Sequence, residues 1–372
     1  MENIHNKNRH FFAAANTSQG FKSCFSETFN MKTLDKLYIL KGGPGCGKST
    51  FMKNTAKMCE NQGLSVECYR CSSDPDSLDA IVINELKIAI VDGTSPHSVE
   101  PCLAGAFEEI IDLGKAWDTK ELFHKRQELE KLSSQKKECY KNAYNLLYVS
   151  KEIKNILSKM VSPCLKNDKI SLCAKRLVKS ISPKNSSDNN IEKISFVNAI
   201  SCKGKIHLCT FEDEAEKCIF VKEEKHNLGV SGIFLGKLYE EAKKKGTELR
   251  VSFSPFDMSV VDGVFFVKEK VSVTLYNQEL VSLCDKTGKN CRIINVSRFL
   301  DAEKMSETKK ERKFYEKLCE NLEDKALQQL EKAGNIHFSL EKIYSSCTNY
   351  RVVEKMYKDF EKTLMKEQIS LR

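Results

Sequence analysis

Short apolar runs alternate with helical segments over the first hundred residues. The runs at residues 37–40, 65–69 and 87–92 have the length and composition of buried β-strands. Residues 51–62 have a helical composition and end before Gly63, a residue typical of helix C-caps. Because strands alternate with helices, the pattern predicts an α/β fold with a parallel sheet and flanking helices. Ligands bind such sheets at the carboxyl ends of the strands.

Two further patterns lie outside the predicted sheet. Residues 11–25, with a turn at 18–20, are typical of a β-hairpin. Residues 118–161 are strongly charged with a broken apolar stripe, which predicts a long helical arm, and residues 302–367 repeat this pattern. The stripe favours paired packing of the arms, within the chain or between chains. A lid or a partner-binding arm is the alternative.

The chain matches itself at an offset of 183 or 184 positions, which predicts a tandem duplication. The matched pairs include Phe12 with Phe196, Gly63 with Gly246, Asp74 with Asp257, Asp118 with Asp301, and Leu147 with Leu330. A polar segment without apolar anchors separates the halves. We therefore predict a domain at residues 1–182 (copy 1), a linker at 183–190 and a second domain at 191–372 (copy 2).

The loop after the first strand fits Gly-x-x-x-x-Gly-Lys-Ser/Thr, the phosphate-binding P-loop pattern. Its glycines would turn the backbone so that N–H groups meet phosphate oxygens. Lys48 would reach the β- and γ-phosphates, and the Ser49 hydroxyl would bind Mg²⁺. The loop predicts a site for Mg-ATP, with GTP as the alternative, in a tandem P-loop NTPase. The predicted nucleotide-binding residues are Gly42, Gly43, Pro44, Gly45, Cys46, Gly47, Lys48, Ser49 and Thr50.

Asp92 ends the third apolar run, as a Walker B acid does. It would hold Mg²⁺ together with Ser49 and act in catalysis with Lys48. The alternative is an ordinary strand end, since Asp-Gly also marks turns. The matching position in copy 2 is Leu275, so this acid and the lysine are lost together.

Three acids follow the second strand, where they could orient a water molecule or a substrate hydroxyl. Asp74 and Asp79 recur in copy 2, which favours turn and capping roles, with Asp79 as a helix N-cap. Asp76 falls on a serine in copy 2 and is the candidate catalytic acid. Weaker candidates are Arg70 as a charge clamp, Glu85 as a base or a solvent-facing charge, and Thr94, Ser95 and His97 as phosphate sensors.

Copy 2 lacks a Gly-Lys-Ser sequence at the corresponding place. In the ungapped register Gly47 falls on Val230, Lys48 on Ser231 and Ser49 on Gly232. Residues 223–227 bring charged and bulky side chains in place of glycines. We predict that copy 2 keeps the fold and does not bind a nucleotide.

Composition narrows the class of protein. The 372 residues include 41% hydrophobic and 30% charged residues, and the net charge of +9 favours anionic ligands without requiring nucleic acid. The 16 cysteines follow no disulfide spacing. No secretory signal and no run of about 18 apolar residues is found. We expect a cytoplasmic protein with reduced thiols and no membrane segment.

Four segments, at residues 9–17, 42–50, 71–79 and 92–97, resemble an uncharacterised bacterial ATPase family found mainly in Firmicutes. The resemblance covers nearly the whole chain and implies two tandem P-loop domains. Members often carry a P-loop in each half, and this chain departs from that in copy 2. The resemblance implies no physiological role.

Together these patterns predict a P-loop NTPase that binds Mg-ATP in copy 1 and hydrolyses it slowly, because Asp92 is followed by Gly93 rather than by a glutamate. Copy 2 would be a scaffold or a regulator. One alternative is a kinase for a nucleoside or another metabolite, with Asp74 or Asp76 accepting the hydroxyl proton. The other is a nucleotide-gated interaction module whose arms bind a second copy or a protein partner.

Overall fold

Two six-stranded sheets, each flanked by helices, form the core of the computed structural model, which describes residues 9–183, 192–224 and 228–370. Copy 1 contains β1 (Arg9–Phe12), β2 (Ala14–Thr17), β3 (Gly20–Ser23), α1 (Phe25–Thr28), β4 (Lys36–Lys41), α2 (Lys48–Asn61), β5 (Val66–Arg70), β6 (Leu78–Ile83), β7 (Ile88–Asp92), β8 (Glu108–Asp112), α3 (Thr119–His124), α4 (Arg126–Val161) and α5 (Asn167–Ile181). Copy 2 contains β9 (Glu192–Ile194), β10 (Asn198–Ser201), β11 (Gly204–His207), α6 (Thr210–Glu214), β12 (Lys217–Lys222), α7 (Val230–Lys244), β13 (Leu249–Phe253), β14 (Val261–Phe266), β15 (Val271–Leu275), α8 (Gln278–Thr287), β16 (Asn290–Asn295), α9 (Ala302–Glu307), α10 (Lys309–Ser346) and α11 (Tyr350–Ser370). Residues 184–190 of the predicted linker and residues 225–227 lie outside the described residues.

The two sheets have the same topology, as a duplication requires. Their strand orders are β1-β5-β6-β7-β4-β8 and β9-β13-β14-β15-β12-β16. All strands of a sheet run in one direction except β6 and its equivalent β14, which are antiparallel to both neighbours. The expected all-parallel sheet is therefore corrected to a mostly parallel one.

Asp79 shows the local reason for that correction. It is the second residue of β6 and not a helix N-cap, so the N-cap interpretation was wrong. Only a short connection separates β5 from β6, and such a connection permits an antiparallel neighbour but no parallel crossover. The predicted hairpin is confirmed for β2 and β3, while β1 joins the main sheet beside β5.

The final helix of each copy packs on the other copy. From copy 2, α11 covers α2 and β4, where the Phe360 ring lies 5.1 Å from that of Phe51 and 4.9 Å from that of Tyr38. From copy 1, α5 packs on α7, and Leu177 and Phe234 share one buried cluster. Each copy therefore completes the hydrophobic core of its counterpart.

Equivalent hydrogen bonds show that this exchange is symmetric. Asp118 N donates to Cys347 O at 2.7 Å, and its counterpart Asp301 N donates to Cys164 O at 2.8 Å. Phe12 N donates to Phe196 O at 2.9 Å, so two equivalent residues contact each other directly. The copies are thus related by a pseudo-two-fold axis.

A buried ion pair joins the copies through two further equivalent positions, the second residues of β5 and β13. The Arg250 guanidinium donates to Glu67 at 2.7 Å, and Lys193 donates to the other oxygen at 2.5 Å. Burial alone would raise the pKa of Glu67, but Arg250 and Lys193 overcome it and hold the pKa at about 2. Glu67 therefore remains a carboxylate inside the interface.

The predicted pairing of the arms occurs within the chain. Helices α4 and α10 pack along their lengths, with Ala143 and Leu147 meeting their equivalents Ala326 and Leu330 in a buried cluster. Across the described ranges of the chain, no helix has the length and apolarity needed to cross a membrane. None of the 16 cysteines, all of which lie in the described ranges, forms a disulfide bond.

Candidate functional site

A cavity of about 1150 Å³ lies where the copy 1 sheet meets α4 and α10. Its floor is the loop before α2 and the ends of β6 and β7. Its far wall comes from one face of α4 and from α10, and the turn of the β2–β3 hairpin closes one side. The cavity therefore belongs to both copies, although its floor lies in copy 1.

The glycine-rich loop is shaped by its sequence and pressed against copy 2. Gly45 and Gly47 have positive φ angles of 71° and 96°, which other residues rarely adopt. A Cβ on Gly45 would lie 2.5 Å from the backbone oxygen of Glu341 in α10, so only glycine fits there. The Tyr350 hydroxyl donates to Gly45 O at 2.7 Å. The loop is thus held between α2 and α10.

Lys48 and Asp92, predicted from separate segments, are neighbours in the cavity. Lys48 Nζ donates to Gly42 O at 2.7 Å and Gly43 O at 2.8 Å, and it lies 3.6 Å from Asp92 Oδ2. Burial raises the pKa of Asp92, and Lys48 partly opposes that rise. The loop's lysine and the strand-end acid therefore form one charged pair.

Ser49 and Asp92 are the oxygen donors expected for Mg²⁺, and both line the cavity. The Ser49 hydroxyl oxygen accepts from Leu78 N at 3.0 Å. Asp92 Oδ1 accepts from Thr94 N at 2.9 Å and from its hydroxyl at 2.5 Å, which leaves Oδ2 near Lys48. A hydroxyl and a carboxylate, completed by phosphate and water oxygens, form a donor set that suits Mg²⁺.

His97 and Asp79 form a buried pair on the same floor. His97 Nε2 lies 3.0 Å from Asp79 Oδ2, and both side chains are less than 10% exposed. The imidazole stacks on Phe25 at 4.4 Å, and its Nδ1 has no hydrogen-bond partner among the described residues. Burial alone would lower the pKa of His97, but Asp79 outweighs it and the pKa lies above its ordinary value. The geometry makes His97 a stronger candidate site residue than the sequence did.

The remaining candidates have structural roles or lie elsewhere. Asp74 accepts from the Ser77 hydroxyl at 2.7 Å, a turn contact at the cavity edge. Asp76 is 72% exposed and pairs with Lys203 of copy 2. Arg70 donates to Pro75 O, and Glu85 binds the backbone and hydroxyl of Ser65. The cavity wall includes Ser95 but none of Asp76, Arg70 and Glu85.

In copy 2 the carboxylate of Glu223 caps the N-terminus of α7, the helix that corresponds to α2. Glu223 Oε1 accepts from Leu228 N at 2.9 Å, and Oε2 accepts from the Ser231 N–H and hydroxyl at 3.2 and 3.1 Å. The α7 N-cap is Gly229, with φ 82° against 96° for Gly47, so the register differs by one residue from the ungapped alignment. Val230 therefore stands at the lysine position and Ser231 at the position of Ser49.

Removing this carboxylate tests its role. Glu223→Ala is expected to lower the free energy of unfolding by about 1–2 kcal/mol, because the N-terminus of α7 loses an anionic acceptor. Urea unfolding measures the change. A nucleotide titration of the variant should show no second site, because no lysine stands at residue 230. A second site would mean that Glu223 alone blocks copy 2.

Three thiols also come together in copy 2, on the sheet beside α8. The Sγ atoms of Cys218, Cys284 and Cys291 lie within 4.8 Å of one another. Burial raises the pKa of Cys218 and Cys284 to about 11, which favours protonated thiols over metal-binding thiolates. We assign no site there.

No protein-family model, no curated protein and no solved structure matches the chain. The case for a function therefore rests on the residues and their arrangement, and the resemblance to tandem ATPases remains a prediction.

The far wall of the cavity was not predicted from the sequence. Tyr140, Tyr144 and Tyr148 recur every fourth residue on α4 and line the cavity, with Lys136 one turn before them. Their spacing marks one helical face, but it does not indicate what that face meets. His337 and Glu341 come from copy 2 and reach the loop because α10 packs along α4.

Proposed function

We propose that copy 1 binds a magnesium nucleoside triphosphate, Mg-ATP in the first instance, on the loop at residues 42–50 and hydrolyses it slowly. The contrast between the matched loops supports this proposal. In copy 2 the helix N-terminus is occupied by Glu223, whereas in copy 1 Gly45, Lys48 and Ser49 open onto a large cavity. A helix N-terminus with open N–H groups and a lysine attracts phosphate.

Each residue of the copy 1 site would have a role that follows from its chemistry. Lys48 would leave the carbonyls of Gly42 and Gly43 and place its charge against the terminal phosphates, which stabilises the charge on the transferring phosphoryl group. Ser49 and Asp92 would hold Mg²⁺, which supplies charge neutralisation when bound. The imidazole of His97, oriented by Asp79 through Nε2, would accept a proton at Nδ1 from a water molecule that reaches this buried atom.

A phosphotransferase is the second candidate, and the cavity itself favours it. Its volume of about 1150 Å³ is above the usual range for a single small-molecule site, which leaves room for an acceptor beside a nucleotide. The same His97 would then take the proton of an acceptor hydroxyl. Incubation with Mg-ATP and a panel of nucleosides and metabolites distinguishes the two, since a phosphorylated acceptor forms in place of free phosphate.

Lys48→Ala tests the proposed binding. It is expected to weaken Mg-ATP binding about 10- to 100-fold, because a charge-assisted hydrogen bond to phosphate is lost. Calorimetric titration measures the affinity and should give one site per chain in the unaltered protein. Lys57→Ala, an exposed lysine on the same helix, is the matched control and should bind as the unaltered protein does. If the unaltered protein binds neither ATP nor GTP, the proposal fails.

A further inference from the structure

Two basic side chains, one from each copy, meet on the far wall of the cavity. Lys136 Nζ of α4 lies 3.3 Å from His337 Nδ1 of α10. Both residues line the cavity whose floor carries Lys48. The first residue lies in copy 1 and the second in copy 2, so this pairing exists only because the long helices pack against each other.

Lys136 has no ion-pair partner among the described residues, and only the longer-range charges of Cys71 and Glu341 oppose the effect of burial on its pKa. Burial lowers the pKa of Lys136, and burial together with Lys136 lowers the pKa of His337 to about 4. Glu341 faces the opposite side of the imidazole, 3.5 Å from His337 Nε2, while Asp74 and Lys48 act on it from the floor. Within the described part of the chain, no carboxylate lies at ion-pair distance from Lys136.

A half-buried ammonium group with no carboxylate at ion-pair distance is incompletely compensated, and a bound anion would stabilise it. Lys137 and Lys141 line the same wall, so positive charge accumulates on this face of α4. The hydroxyl of Tyr144 on the same helix donates to Asn16 Oδ1 at 2.8 Å and fixes α4 against β2. The wall is therefore a cationic surface, fixed in position, that faces the glycine-rich loop.

We propose that Lys136 and His337 form a second anion site, across the cavity from the loop, that binds a phosphate group. This inference rests on the proposed function, because the loop binds one end of the same ligand. The phosphate is either the terminal phosphate of the nucleotide or a phosphate carried by an acceptor. In both cases its binding ties α4 of one copy to α10 of the other above the bound nucleotide.

The test compares Lys136→Gln with Lys131→Gln, which removes an exposed lysine from the same helix. Calorimetric titration measures the affinity of each variant for Mg-ATP, for Mg-ADP and for inorganic pyrophosphate. The pyrophosphate is titrated into ADP-loaded protein. If the site binds the terminal phosphate, Lys136→Gln lowers the affinity for ATP about tenfold and leaves the affinity for ADP unchanged. If it takes an acceptor phosphate, both nucleotides bind as before and pyrophosphate binding is lost. Equal affinities in the two variants for all three ligands would overturn the inference.

Two additional variants separate this inference from folding and from the proposed function. Lys136→Arg keeps the charge and should restore the lost binding, which a merely structural role in helix packing does not require. Lys48→Ala should lower the affinity for both nucleotides, whereas Lys136→Gln should affect the binding of one phosphate group only. If the unaltered protein binds no nucleotide, pyrophosphate binding that depends on Lys136 would still support the anion site. If it binds neither a nucleotide nor pyrophosphate, the anion site is ruled out.

Discussion

Replacing Glu67 with alanine is expected to lower the free energy of unfolding by about 3–5 kcal/mol. The side chain is 1% exposed and accepts hydrogen bonds from Arg250 and Lys193 across the interface between the copies. Its removal leaves the Arg250 guanidinium, itself 10% exposed, in the interface without its carboxylate. Urea unfolding followed by circular dichroism measures the loss.

The chain offers a control at the rim of the same cluster. Arg9 lies 3.8 Å from Glu67 and is 41% exposed, so Arg9→Ala should cost less than about 1 kcal/mol. The exchange Glu67→Arg with Arg250→Glu restores opposite charges and should recover part of the loss. A change below about 1 kcal/mol for Glu67→Ala would contradict the interpretation of this pair as a clamp between the copies.

The same pair makes stability fall in acid. The pKa of Glu67 is about 2 in the folded protein against 4.5 for an ordinary glutamate. A carboxyl group whose pKa is lowered by folding contributes stability that is complete above its unfolded pKa and disappears as the pH falls towards its folded pKa. Unfolding free energies measured between pH 6 and about pH 2 should therefore decline below about pH 4.5, and less steeply in Glu67→Gln.

Phe360→Ala, a substitution in copy 2, is expected to destabilise copy 1 by about 3–5 kcal/mol. Phe360 is 6% exposed and packs on Tyr38 and Phe51, so alanine leaves a cavity between α11 and α2. Because α2 carries Lys48 and Ser49 at its start, we also expect weaker nucleotide binding. Chemical unfolding and calorimetric titration of one variant measure both effects.

Leu177 is the matched control, since it occupies the equivalent position in α5 and is equally buried. Leu177→Ala opens the core around α7 and should cost about 2–5 kcal/mol, with nucleotide affinity retained under folding conditions. If both variants alter nucleotide affinity equally, the coupling through α11 is not specific. If Phe360→Ala is neutral, the exchanged packing is not the source of stability.

Local features of this chain were predictable because they depend on neighbours in sequence. The strand β4, the loop and α2 follow from an apolar run, three glycines and a helical segment, and the structure has each within a few residues. The repeat was visible because both copies conserve the spacing of their apolar residues. The pairing of Lys48 with Asp92 was inferred from strand ends that share one edge of a sheet.

Other features were not predictable because periodicity shows that a helix has an apolar face but not what covers it. The apolar stripe of α11 does not indicate which helix it covers, so its packing on α2 of the other copy was not foreseen. His337 and Glu341 reach the cavity through a different contact between the copies, the packing of α10 along α4. The one-residue shift at Gly229 was hidden because an ungapped alignment does not detect a loop lengthened by one position.

The exchange of α5 and α11 also governs how the protein is made. Tyr38 and Glu367, whose side chains form a hydrogen bond, are 329 positions apart in the chain. At roughly 5–20 residues per second on the ribosome, an interval of about 15–65 s separates the synthesis of β4 from that of its covering helix. During that interval the apolar face of α2 remains exposed to solvent. Such exposure favours aggregation and binding by chaperones.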